Sequence, residues 1–110
     1  MAGAEDLRRL ALALEGTTEV PHFDRAAFKV ARIYATLAAD GRTANLKLTP
    51  EEQEFKVLLA PEGFRPVDNA WGRHGWTRLE LDRLAVAELQ AALEMAWQHA
   101  LPRAARRRRG

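Results

Sequence analysis

The run from Thr18 to Leu48 constrains this chain most, because four short β-prone stretches (residues 18–23, 27–30, 33–38 and 43–48) follow one another there. Asp40-Gly41, between the last two, has the turn chemistry of a tight hairpin. In the fourth stretch Ala44, Leu46 and Leu48 alternate with Thr43, Asn45 and Lys47, which sends apolar side chains to one face and polar ones to the other. Strands joined this way form an antiparallel sheet, whose two faces can differ: one covered, one left to solvent.

Helical patterns flank the strands. Leu7, Leu10, Ala11 and Leu14 share one face of a helix over residues 4–15, with Glu5 and Asp6 at the positive end of its dipole and Gly16 suited to its end. Thr49-Pro50-Glu51-Glu52 reads as a second helix start: Thr49 caps, Pro50 fits the first helical position, and Glu52 completes a capping box. That helix is expected to reach Leu59, before Pro61 and Gly63 open a loop leading to a short strand over 64–67. A strand over 76–81 then alternates Thr77, Leu79 and Leu81 against Trp76, Arg78 and Glu80. A last helix over 85–101 carries Leu89, Leu93 and Ala96 on an apolar face joined by Ala92, Trp97 and Ala100, and stops at Pro102. The expected fold is therefore α+β, a mostly antiparallel sheet with helices packed on one face. Lys29, Asn45, Lys47, Trp76 and Arg78 project from the other face, a candidate binding surface.

The segment from Asn69 to Arg78 places two of the chain's three tryptophans around a glycine-rich, cationic turn. Gly72 and Gly75 permit backbone angles that bulkier residues resist. Trp71 is read as a core-packed anchor for the loop, and Trp76 as an outward-facing platform for a base or a protein partner. Arg73 and His74, bounded by the two glycines, are candidate contacts.

Composition removes several chemistries. The chain has no cysteine and no serine, so disulfides, thiolate nucleophiles and serine triads are excluded. Neither metal-ligand spacing nor a phosphate-cradling glycine loop nor a dinucleotide fingerprint is present, so no metal or cofactor is expected. His22 reads as a structural residue and His99 as a helix-end residue that suits the dipole when charged. The leucine-rich start is interrupted by Glu5, Asp6, Arg8 and Arg9, unlike a signal peptide. No apolar run approaches the roughly 20 residues of a membrane span, so no membrane partner and a cytoplasmic location are expected.

The net charge of +2 is not spread evenly. Arg103, Arg106, Arg107, Arg108 and Arg109 follow Pro102; without them, twelve basic residues face fifteen acidic ones, and residues 1–102 carry a formal −3. Residues 1–102 are read as one domain, and 103–110 as a solvated, disordered basic tail able to contact phosphates without reading sequence.

Pro21-His22-Phe23, Ala27-Phe28-Lys29-Val30, residues 33–37, residues 44–48 and residues 71–77, in that order and spacing, resemble the MmcQ/YjbR family of small bacterial proteins. The resemblance covers about residues 5–101 and omits the arginine tail. It implies a compact α+β fold of frataxin-like (CyaY-like) arrangement and DNA binding through a double-wing motif. The first helix mixes Arg8 and Arg9 with its acids and does not support iron handling of the frataxin type.

Two functions are carried forward. The first is DNA binding, with Lys29, Lys47, Arg73 and Arg78 on phosphates, Trp76 stacking and the tail adding salt-dependent affinity. The second is a non-enzymatic module that binds a protein or small ligand on the same face around Trp76. The chain is read as not an enzyme, since catalysis would need His22, His74 or carboxylates in an arrangement the sequence does not show.

Overall fold

A computed structural model describes residues 1–102. Among them, helix α1 (Ala4–Ala13) leads into strands β1 (Thr18–His22), β2 (Arg25–Lys29), β3 (Ile33–Leu37) and β4 (Thr43–Lys47). Helix α2 (Pro50–Leu59), strand β5 (Phe64–Pro66), the single-turn helix α3 (Ala70–Arg73), strand β6 (Trp76–Glu80) and helix α4 (Val86–Ala100) follow. The strands form one antiparallel sheet in the order β1-β2-β3-β4-β6-β5, so β6 inserts between β4 and β5.

Local chemistry sets the helix starts. The Thr49 side chain accepts from Glu52 N at 3.1 Å while Glu52 Oε1 accepts from Thr49 N at 2.9 Å, the reciprocal bonds that the sequence predicts. Asp6 and Glu88 reach back in the same way to the backbone N–H groups of Gly3 and Ala85.

The covered face of the sheet is apolar apart from Thr77 of β6. Phe28, Ala35, Leu46 and Leu79 have no exposure, and Leu89, Ala92, Leu93, Ala96 and Trp97 of α4 bury against the same core. α1 packs on α4, and α2 packs on β5. An irregularity between Phe28 and Lys29 shifts the β2–β3 register, and Tyr34 is buried with its hydroxyl 2.8 Å from Thr17 Oγ1. Burial holds the Tyr34 phenol above its ordinary pKa, against a smaller opposing effect of the Thr17 bond.

One local expectation fails. The tryptophan loop contains a helical turn, capped by Asn69 Oδ1 accepting from Trp71 N at 2.9 Å. Trp71 is not a core anchor: it is 64% exposed. It sits within this short turn, outside the core, while Trp97 supplies the buried indole and donates from Nε1 to the Glu15 carbonyl.

Candidate functional site

The register of the sheet builds the open face row by row. Val20 opposes Ala27, Ala27 opposes Thr36, Thr36 opposes Asn45, Asn45 opposes Arg78, and Arg78 opposes Arg65. Beside that row Lys47 opposes Trp76, and His22 opposes Arg25 at the hairpin end. Asn45, Trp76 and Arg78 thus share a surface, as the alternation of β4 and β6 predicts.

Beside this surface the loop from Val67 to Trp76 forms one side of an open cleft of about 290 Å³. Its floor is Thr36 and Asn45; one wall holds Trp71, Trp76 and Asn69, and the other His22 and Arg25. The Asn45 amide and both indole N–H groups of the cleft have no hydrogen-bond partner among the described residues. Mixed apolar and polar walls of this kind suit a planar ligand bearing hydrogen-bonding edges.

A buried polar network holds the loop in place. Gln53 of α2 sits with Nε2 3.0 Å from the Gly72 carbonyl, 3.0 Å from the Trp76 carbonyl and 3.1 Å from Thr77 Oγ1. Thr77 in turn donates to the Gly75 carbonyl at 2.9 Å. A Cβ on Gly72 would lie 2.0 Å from the Val67 carbonyl oxygen, and one on Gly75, at φ 105°, 1.8 Å from that of Leu48. Both positions therefore require glycine, for close backbone approach as much as for dihedral freedom.

Among the sequence-predicted site residues, roles divide. Lys47 Nζ donates to the His74 carbonyl and, at 3.4 Å, to the Leu48 carbonyl, so this cation fastens the loop. Arg73 and His74 are exposed on the loop, and Lys29 is half-buried at the end of β2. Arg106, Arg107, Arg108 and Arg109, with the rest of the basic tail, lie outside the described residues.

Arg25 and Thr36 are site residues the sequence reading missed. Arg25 Nε donates to Thr36 Oγ1 at 2.9 Å and Nη2 to the Thr36 carbonyl at 3.5 Å. Desolvation lowers the pKa of this guanidinium, Asp24 and Asp40 oppose that, and nearby Arg78 adds to it. Arg25 lines the cleft, whereas Arg78 lines an adjoining depression with Arg42, Glu80 and Asp82. Arg78 Nε is buried without a hydrogen-bond partner among the described residues, its nearest carboxylate oxygen being Glu80 Oε2 at 3.7 Å. The alternation of Arg25, Ala27 and Lys29 against Ala26 and Phe28 was the signal available in the sequence. His22, read as structural, also lines the cleft.

At the hairpin between β1 and β2, Phe23 is 95% exposed with φ 59°, its ring edge-on to His22 at 4.9 Å between centroids. A bulky residue in the left-handed region carries backbone strain, and here no burial compensates it.

A family model described as YjbR matches residues 12–99. The crystal structure of the Deinococcus radiodurans protein DR2400, with family-model domain DUF419, superposes with a TM-score of 0.80 at 24% identity, covering 98% of this chain and 88% of that one. That likeness shows the fold. No curated protein sequence matches the chain.

Proposed function

This chain belongs to the YjbR family, and we propose that it binds DNA through the open face of its sheet. The observation carrying this reading is the separation of charge between the two layers. The strands carry five cations, Arg25, Lys29, Lys47, Arg65 and Arg78, against two carboxylates, one of which (Glu19) is bound by Arg8 of α1 at 2.9 Å. Helices α1, α2 and α4 carry seven carboxylates against three cations. A formally acidic body thus presents a cationic face, and a polyanion is oriented toward it by the field of the whole molecule. Aromatic rings interleaved with those cations add a surface on which bases stack.

The test is a fluorescence-anisotropy titration of the full chain with labelled DNA across salt concentrations. Affinity should fall as salt rises, and Arg25→Ala combined with Arg78→Ala should reduce the salt slope by about 2, one for each phosphate left without its guanidinium. Replacing Arg106, Arg107, Arg108 and Arg109 by glutamine should weaken binding while leaving the effect of the sheet-face pair intact. If binding disappears with the tail alone, the sheet face has no such role. A second reading, a small ligand or protein seated on the same face, is favoured by the mixed walls of the cleft. It predicts binding insensitive to salt and abolished by Trp76→Ala.

A further inference from the structure

Resting on the nucleic-acid reading above, we infer that the open face takes single-stranded in preference to duplex nucleic acid, with one unstacked base held against the indoles of Trp71 and Trp76. Three features converge on this occupant.

The first is shape. The binding surface is concave at the tryptophans, a cleft of about 290 Å³ rather than a ridge or a projecting helix. A duplex offers its grooves only base edges, because the base faces are stacked inside it. An unpaired base offers both a face for an indole and an edge for hydrogen bonds. The unpartnered Asn45 amide on the cleft floor has two donors and an acceptor for such an edge.

The second is the placement of aromatic surface in water. Trp71 is 64% exposed on one wall, and Phe23, 95% exposed, lies outside the cleft with its ring edge-on to His22 of the other wall. Neither ring adds to the core. Phe23 also occupies a left-handed backbone conformation that glycine would adopt more readily. Its side chain therefore costs stability where it stands, as expected of a residue kept for contact with a neighbouring base.

The third is anion recognition beside the cleft. Arg25, on its wall, makes no ion pair among the described residues, and Arg78, opposite Asn45, has a buried Nε without a hydrogen bond. Each guanidinium suits a phosphate oxygen, which accepts a charge-assisted bond; Arg25 has no carboxylate in salt-bridge contact among the described residues, and Arg78 has Glu80 Oε2 at 3.7 Å. The phosphates on either side of the stacked base are the anions this arrangement fits.

The experiment compares three labelled probes binding to the full chain at one salt concentration: a short DNA single strand, the same strand annealed to its complement, and the same strand with abasic sites. The base-bearing single strand should bind about tenfold more tightly than either of the others. Trp71→Ala and Phe23→Gly should each weaken single-strand binding severalfold and reduce the preference for single strand over duplex, with thermal melting confirming that both variants fold. Equal binding of single strand and duplex, or of base-bearing and abasic strands, overturns the inference while the nucleic-acid reading stands. If none of the probes binds at low salt, that reading itself falls.

Discussion

The two faces of the sheet come from the same strands and follow opposite rules. On the covered face, Phe28, Ala35, Leu46 and Leu79 are sealed completely in the core that the sheet shares with α4. On the open face, the neighbours Asn45 and Arg78 are partly exposed, and Thr36 is buried beneath the Arg25 side chain that donates to it. A side chain that changes face by one position changes from a packing element to a contact element. The covered face is determined by volume and leaves little freedom. The open face retains unpaired donors, exposed aromatic rings and a strained turn, features that packing alone would remove.

This contrast can be broken by substitution. Leu79→Ala should cost about 2–5 kcal/mol in urea denaturation, since the residue has no exposure and the site cannot collapse freely. Gln53→Leu should cost about 1–3 kcal/mol, because it strips partners from the buried Gly72 and Trp76 carbonyls. That variant should also shift the emission of the loop tryptophans even where α4 stays intact.

A pH titration separates the helical layer from the sheet. Partial burial alone would raise the Glu52 pKa, but hydrogen bonds from Thr49 and the contact with His99 at 2.8 Å bring it below its ordinary value. The folded state thus binds the Glu52 proton less readily than the unfolded chain. Its contribution is complete above the unfolded pKa, about 4.3, and is lost as pH falls through the lowered folded value. Glu52→Gln should therefore flatten the acid limb of a stability–pH profile and leave DNA affinity near neutrality unchanged.

The smallest effects test the open face. Phe23→Gly should raise stability by about 0.5 kcal/mol, because relief of left-handed strain outweighs the added chain entropy. Arg78→Ala should change stability by no more than about 0.5 kcal/mol, although the residue adjoins Leu79 in sequence. Its effect should appear in the salt dependence of DNA binding. A large loss of stability in that variant would break the proposed division between the faces.

Much of this architecture was legible from short-range pattern. The alternation in β4 and β6 assigned Asn45, Trp76 and Arg78 to one face, and Thr49-Pro50-Glu51-Glu52 located the start of α2. Trp71 was misread because its exposure depends on Asn69 capping a single helical turn and on Gly72 meeting the Val67 carbonyl. No periodicity extends over so short a turn. Arg25 escaped notice because its importance comes from Thr36 on the next strand and from Arg78 further across the sheet. The partnership of His99 with Glu52 spans 47 positions and two helices, where spacing carries no information.

The insertion of β6 beside β4 has a kinetic consequence. Strands β1 to β4 each pair with a sequence neighbour, so that meander closes through short loops. Trp76 reaches Lys47 only after the chain has traversed α2, β5 and α3, a contact of much greater sequence separation. Closing longer loops costs more entropy and slows folding. The floor of the cleft belongs to the meander and its tryptophan wall to the later excursion, so the cleft is expected to assemble after the meander. Trp71 and Trp76 are accordingly built-in reporters of the closing of this cleft.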